Sequence, residues 1–188
     1  MAKPRKILIG GPARSGKTKL ARRISEELRC SHIPMDALIT AFQKHFPQTG
    51  IGHEPFEWKV ICANFLPFLT SFLTELGFEG TSFVCDTYHI TPDAAAELRR
   101  SQGITPVFLG FPRIDEIAKL QCIRTFRDAH EWTDKKSDIE MLALVRKFKI
   151  ESCEIQDACV RLNIPFFDSG ADFDLALSEA FNLLIKST

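Results

Sequence analysis

The sequence predicts a three-layer α/β/α domain built around a five-stranded parallel sheet, and three observations predict it. Short apolar runs alternate with longer stretches of helical periodicity along the whole chain, and each of the five runs closes on Gly or Asp. Such alternation gives parallel strands joined by right-handed helical crossovers, with helices on both faces. Finally, 188 residues, 45% hydrophobic and 26% charged, suit one domain spanning 1–188 with a real core.

The elements follow in order. Residues 7–9 are an apolar run that reads as a buried strand. Leu20, Ile24 and Leu28 then recur four apart on one face of a helix over 19–28. Residues 31–36 read as a short second strand ending at Asp36, followed by a helix over 37–46 with Leu38, Phe42 and Phe46 as its apolar stripe. The Gly- and Pro-rich residues 47–55 form a loop. Helical spacing resumes at Trp58, Ile61, Phe65, Leu69 and Leu73 and ends near Gly77, with Pro67 expected to kink or divide the helix. A third strand over 82–85 closes on Asp86. Thr91, Pro92 and Asp93 then open a helix with a cap and a Pro at its first position, running to about Arg100. A fourth strand over 104–109 is closed by 110–112; helices follow over roughly 114–130 and 137–162. Residues 164–168 give the fifth strand and 172–186 the last helix.

The chemistry concentrates between the first strand and the first helix. Gly11, Pro12, Ala13, Arg14, Ser15, Gly16, Lys17 and Thr18 match G-x-x-x-x-G-K-[ST] in full, in the order strand, loop, helix that a phosphate-binding loop requires. Gly11 and Gly16 permit backbone conformations and close approaches that a side chain would block. Loop N–H groups and the helix N-terminus then point at nucleotide phosphates, where the helix dipole favours an anion. Lys17 reaches the β- and γ-phosphates, and the Thr18 hydroxyl ligates Mg²⁺.

Parallel sheets gather ligands at the carboxyl ends of their strands, which aligns 11–18, Asp36, Asp86, 110–112 and Asp168 along one edge. Asp86, closing an apolar run, is the candidate second Mg²⁺ ligand. Asp36 is either a general base for an attacking hydroxyl or the N-cap of the helix that follows. Arg124 and Arg127, three apart on one predicted helix beside the polar segment 130–137, are candidates to fold over the transferred group, with Arg113 a weaker one. The alternative for the pair is a solvated basic face. His89, and His53 with Glu54, could line an acceptor pocket. Phe42, Phe46, Phe56 and Trp58 read as packing; with 16 Phe against one Tyr, the aromatic residues are mostly apolar filler.

Several classes are disfavoured. A formal net charge of zero gives no argument for nucleic acid or an anionic membrane as partner. No signal peptide is read at residues 1–20, and no later stretch is expected to approach a membrane span. Six cysteines show no C-x-x-C pair and no zinc spacing, consistent with reduced thiols in the cytoplasm. There is no N-K-x-D base-reading sequence of a GTPase and no L-S-G-G-Q segment.

Taken together, 7–18, Asp36, the Phe83-Val84-Cys85-Asp86 run and the Arg124/Arg127 segment resemble a small P-loop kinase of the nucleoside/nucleotide kinase-like group, which includes adenylate, shikimate and gluconate kinases and zeta-toxin-like enzymes. The resemblance implies a P-loop NTPase fold, an ATP and Mg²⁺ site, an acceptor region over about 36–75 and a helical lid over about 112–137. It also implies phosphotransfer to a hydroxyl of a small metabolite or nucleoside-type acceptor. Alternatives are a nucleoside monophosphate kinase, whose Arg-rich acceptor pattern is missing here, and a non-catalytic ATP-binding switch or assembly module. The loop departs from many relatives in following the lysine with one hydroxyl residue, Thr18, and then Lys19.

Overall fold

The apolar runs form strands β1 (Lys6–Gly10), β2 (Ser31–Pro34), β3 (Phe83–Asp86), β4 (Thr105–Gly110) and β5 (Phe166–Asp168), all parallel in the order β2-β3-β1-β4-β5. The protein is seen here in a computed structural model that describes residues 4–53, 57–78, 80–126 and 132–186. Between the strands run α1 (Lys17–Leu28), α2 (Met35–His45), α3 (Trp58–Phe78), α4 (Pro92–Gln102), α5 (Glu116–Thr125), α6 (Asp138–Leu162) and α7 (Phe173–Lys186).

Strand parity sorts the core into two layers. Ile7, Ile9, Val84, Val107 and Leu109 point to one face, where Leu20, Ala21 and Ile24 of α1 and Leu177, Ala180 and Leu184 of α7 cover them. Leu8, Phe83, Cys85 and Phe108 point to the other, under residues of α2, α3, α4 and α6. Ile123 of α5 packs separately on Met141 and Val145 of α6. Each face excludes water from a continuous apolar surface, the main favourable term for the fold.

The helix ends have local causes. Thr91 caps α4, its hydroxyl accepting from the Ala94 N–H, with Pro92 at the first helical position as expected. Ser137 and Glu140 close a capping box at the start of α6. Three expectations need correction. The helix after β2 starts at Met35 rather than residue 37, so Asp36 lies within its first turn and neither ends a strand nor caps the helix, whose N-cap is Pro34. α3 is one element with Pro67 inside it. The ring removes one N–H, but Phe65 and Leu69 on either side are fully buried and hold the helix across the gap. Last, α3 is 21 residues long with a mean hydropathy of 1.4 in its most apolar stretch, long and apolar enough by those measures alone to cross a membrane. Here Trp58, Ile61, Cys62, Phe65, Leu69 and Leu73 lie buried in the domain core. All six cysteines are free, and Cys62, Cys85 and Cys159 are core residues.

Candidate functional site

The loop after β1 is shaped by its glycines. Gly11 has φ 132°, and a Cβ there would lie 1.9 Å from the Leu109 carbonyl oxygen of β4. Only glycine lets β1 turn away so close to its neighbour. Gly16, φ 100°, packs against Phe173 and Leu177 of α7 and delivers the chain into α1. Lys17 opens that helix, and its ammonium donates to the Pro12 carbonyl at 2.8 Å, curling back over the loop. Burial pushes the Lys17 pKa down, while the nearby Asp36 and Asp86 carboxylates pull it back up. Ser15 Oγ is fully buried with no hydrogen-bond partner among the described residues.

Strand register decides what faces Thr18. Asp86 pairs with Ile9 and shares the α1 face with it. From there Asp86 Oδ2 accepts the Thr18 hydroxyl at 2.6 Å. On the adjacent strand His32 is paired with Val84, two residues before Asp86, and so lies on the same face. Its Nε2 stands 2.7 Å from Asp86 Oδ1. The carboxylate oxygen accepts and the imidazole N–H donates. Both oxygens of Asp86 are therefore oriented, one by a hydroxyl and one by an imidazole. A hydroxyl beside a fixed carboxylate fits Mg²⁺, which takes oxygen ligands, few of them from protein, and keeps its waters and phosphate oxygens for the rest. The cradle of loop N–H groups, the orphaned Ser15 hydroxyl and the Lys17 ammonium fit a polyphosphate.

Asp36 projects beside this centre with its side chain 59% exposed. Behind it, His89 follows β3 in a loop fixed by three contacts. Thr87 N–H donates to the Ile9 carbonyl, His89 N–H donates to Thr87 Oγ1, and the Tyr88 hydroxyl donates to the Glu151 carboxylate of α6. The His89 ring is completely buried, with Nδ1 3.8 Å from Asp36 Oδ1 and the His53 ring centroid 5.1 Å away. The Gly52 backbone lies beside it, yet neither ring nitrogen meets hydrogen-bond geometry with a described residue. Burial, reinforced by His53, lowers its pKa to about 3, so the ring is neutral. Leaving such a polar atom unpartnered costs roughly 1–3 kcal/mol.

These features can be set beside known proteins. No protein-family model matches the chain, and no curated protein matches it. Solved structures do. Shikimate kinase from Bacteroides thetaiotaomicron aligns with a TM-score of 0.62 and 16% identity over 96% of this chain and 98% of its own. Shikimate kinase from Acinetobacter baumannii in complex with shikimate gives 0.53 and 22% over 98% and 95%, respectively. A gluconokinase from Sinorhizobium meliloti gives 0.53 and 17% over the full length of both. The chain shares the fold of these kinases.

Within that shared fold, the sequence-predicted residues divide. Residues 11–18, Asp36 and Asp86 converge. Arg124 does not join them: its Nε donates to Asp138 at 2.9 Å, and Nη1 and Nη2 donate to the Thr133 and Lys136 carbonyls at 2.8 and 2.7 Å. Its charge ties the Trp132–Lys135 turn and the start of α6 to α5, and is spent there. Arg113 is held by Asp168 at 2.9 Å. Arg127 lies outside the described residues, as do Glu54 and Phe56. Phe42 and Trp58 are packing residues as expected: Phe42 meets Phe68 edge-on, and Trp58 donates its indole N–H to the Tyr88 carbonyl.

Two functional candidates were missed. His32 could have been found by strand parity, since it shares a face with Asp86. Lys119 could not: its position on α5 carries no motif. Its ammonium lies buried over the Phe111 ring, 4.3 Å from the centroid, and donates to the Arg14 carbonyl at 2.9 Å. Burial lowers its pKa to about 8. Arg14 in turn donates to the Phe126 carbonyl at 3.0 Å, so α5 and the loop are latched from both sides.

Proposed function

We propose that this chain is an ATP-dependent phosphotransferase that moves the γ-phosphoryl group of Mg²⁺·ATP to a hydroxyl of a small molecule. The observation that carries the reading is the Thr18 hydroxyl on Asp86 at 2.6 Å beside a buried Lys17 whose charge is felt by both Asp36 and Asp86. When bound, Mg²⁺·ATP supplies the group transferred: an acceptor O–P bond forms, the bond from γ-phosphorus to the bridging oxygen breaks, and ADP leaves with that electron pair. Lys17 and the N–H groups of 11–18 bind and orient the phosphates. Thr18 and Asp86 would hold Mg²⁺, with His32 keeping Asp86 turned toward it.

Asp36 takes the proton of the acceptor hydroxyl. It stands in the first turn of α2, more than half exposed, where an acceptor hydroxyl can reach it. The acceptor region runs over about 36–75, and the lid over about 112–137 includes α5. Closure of the lid over the loop excludes water, which would otherwise compete as acceptor. Lys119 supplies the positive charge that α5 turns toward the loop, in place of Arg124.

The test is Mg²⁺·ATP turnover by purified protein against a small-molecule extract, with Lys17→Ala as blank. The proposal expects ADP release stimulated by the extract and a product heavier by one phosphoryl group, both lost in the variant. ATP binding without any stimulated release would overturn it.

A further inference from the structure

Asp36 and His53 both lie against His89 where an acceptor would approach. His89 is completely buried beside Phe65 and Tyr88, with ring centroids 6.1 and 5.3 Å away. An apolar side chain would fill that position without stranding two ring nitrogens. Asp36 Oδ1 stands 3.8 Å from Nδ1, beyond hydrogen-bond distance, so the carboxylate faces the imidazole without being bound by it. His53 is exposed, and its Nε2 is 3.2 Å from the Thr40 hydroxyl, one helical turn from Asp36. Thr40 in turn donates to the Asp36 carbonyl. The cluster thus offers a carboxylate, a hydroxyl and two imidazoles, one of them held neutral by its burial.

What the region lacks is as informative. Residues 36–75 contain no arginine. Their two lysines are Lys44 and Lys59, and Lys59 is paired with Glu154 at 2.8 Å. Arg113 and Arg124 are engaged elsewhere. A carboxylate or phosphate on an acceptor is best gripped by the two-pronged guanidinium, and an anion set beside Asp36 would be repelled. A neutral imidazole offers one donor and one acceptor and no charge, the complement of a hydroxyl.

We propose that the acceptor is a neutral molecule bearing at least two neighbouring hydroxyls, one activated by Asp36 and the next gripped by the His89 and His53 imidazoles. The inference rests on the kinase reading and narrows it. It sets the acceptor apart from the carboxylate in shikimate, bound in one of the structures that share this fold, and from nucleoside monophosphates.

The experiment splits a small-molecule extract on an anion exchanger and assays each fraction for Mg²⁺·ATP-dependent ADP release, with Lys17→Ala subtracted. Stimulation by the unretained fraction, with a new phosphorylated product that the exchanger now retains, is the expected result. Stimulation by the retained fraction alone would overturn the neutral acceptor and leave the kinase reading standing. Stimulation by neither would overturn both. On the active fraction, His53→Asn and His89→Gln are each expected to raise the acceptor KM by about tenfold, the worth of one neutral hydrogen bond. The KM for Mg²⁺·ATP should not move. An unchanged acceptor KM in the surface variant His53→Asn, whose folding is not at issue, would remove the imidazole grip from the account.

Discussion

A carboxylate held at both oxygens cannot wander, and Asp86 is held by the Thr18 hydroxyl and by His32. If that orientation serves Mg²⁺, His32→Asn should raise the Mg²⁺ concentration for half-maximal turnover by about tenfold, as loss of a ligand's supporting contact does elsewhere. A Mg²⁺ titration of wild type and variant reads it directly; coincident curves would leave His32 a structural role only. Gly11 makes a different demand. A methyl group there would meet the Leu109 carbonyl at 1.9 Å on a backbone at φ 132°. Gly11→Ala should therefore cost at least about 3 kcal/mol of stability, read by urea denaturation. Gly11 and His32 mark where reading the chain succeeds and where it stops. The loop's glycines were legible because motif and geometry coincide. His32 was legible only in part: parity could mark its face, but the pairing with Asp86 needs the register of β2 on β3.

Among elements, α5 and the turn at Trp132–Lys135 are the least like what the chain suggested. Arg124 looks from sequence like a mobile cation on a lid helix, but three of its donors fix backbone carbonyls and Asp138. Arg124→Ala should accordingly lower stability by roughly 1–3 kcal/mol, a few degrees in Tm per kcal/mol for a chain of this size. Turnover measured well below that Tm should stay within a few-fold of wild type. A thousandfold fall in kcat with unchanged Tm would restore the arginine as a transition-state clamp. Carbonyl partners separated by nine and twelve residues leave no trace in side-chain pattern, so this role was unreadable. The five parallel strands, by contrast, followed from five apolar runs with helices between them, while their order, β2-β3-β1-β4-β5, came only with the structure. The details failed at two prolines: Pro34 leads directly into α2, and Pro67 lies within α3 without dividing it.

Across the whole molecule, two buried titratable groups set opposing slopes of stability with pH. Burial raises Glu151 to about 7 from an ordinary 4.5. Between those values the folded chain binds more protons than the unfolded one, so stability falls as pH rises through the window and stays lower above it. His89 is lowered to about 3 from 6.5. There the unfolded chain binds more protons, so stability falls as pH drops below about 6.5. Glu151→Gln keeps a partner for the Tyr88 hydroxyl and should remove the alkaline slope, worth roughly 1–3 kcal/mol between pH 5 and 8, in urea denaturation across that range. A slope that persists in the variant would place its origin elsewhere.

The central claim is that Asp36 serves phosphoryl transfer to a hydroxyl at a P-loop site. The measurement that tests it most directly compares wild type and Asp36→Asn, at equal Mg²⁺·ATP, for ADP release stimulated by the acceptor-containing fraction. The account predicts a loss of about 10²–10⁴-fold in stimulated kcat, the usual worth of a general base, with Mg²⁺·ATP affinity unchanged. A variant that keeps most of the wild-type rate would contradict it and point to an acceptor that needs no base, such as a phosphate.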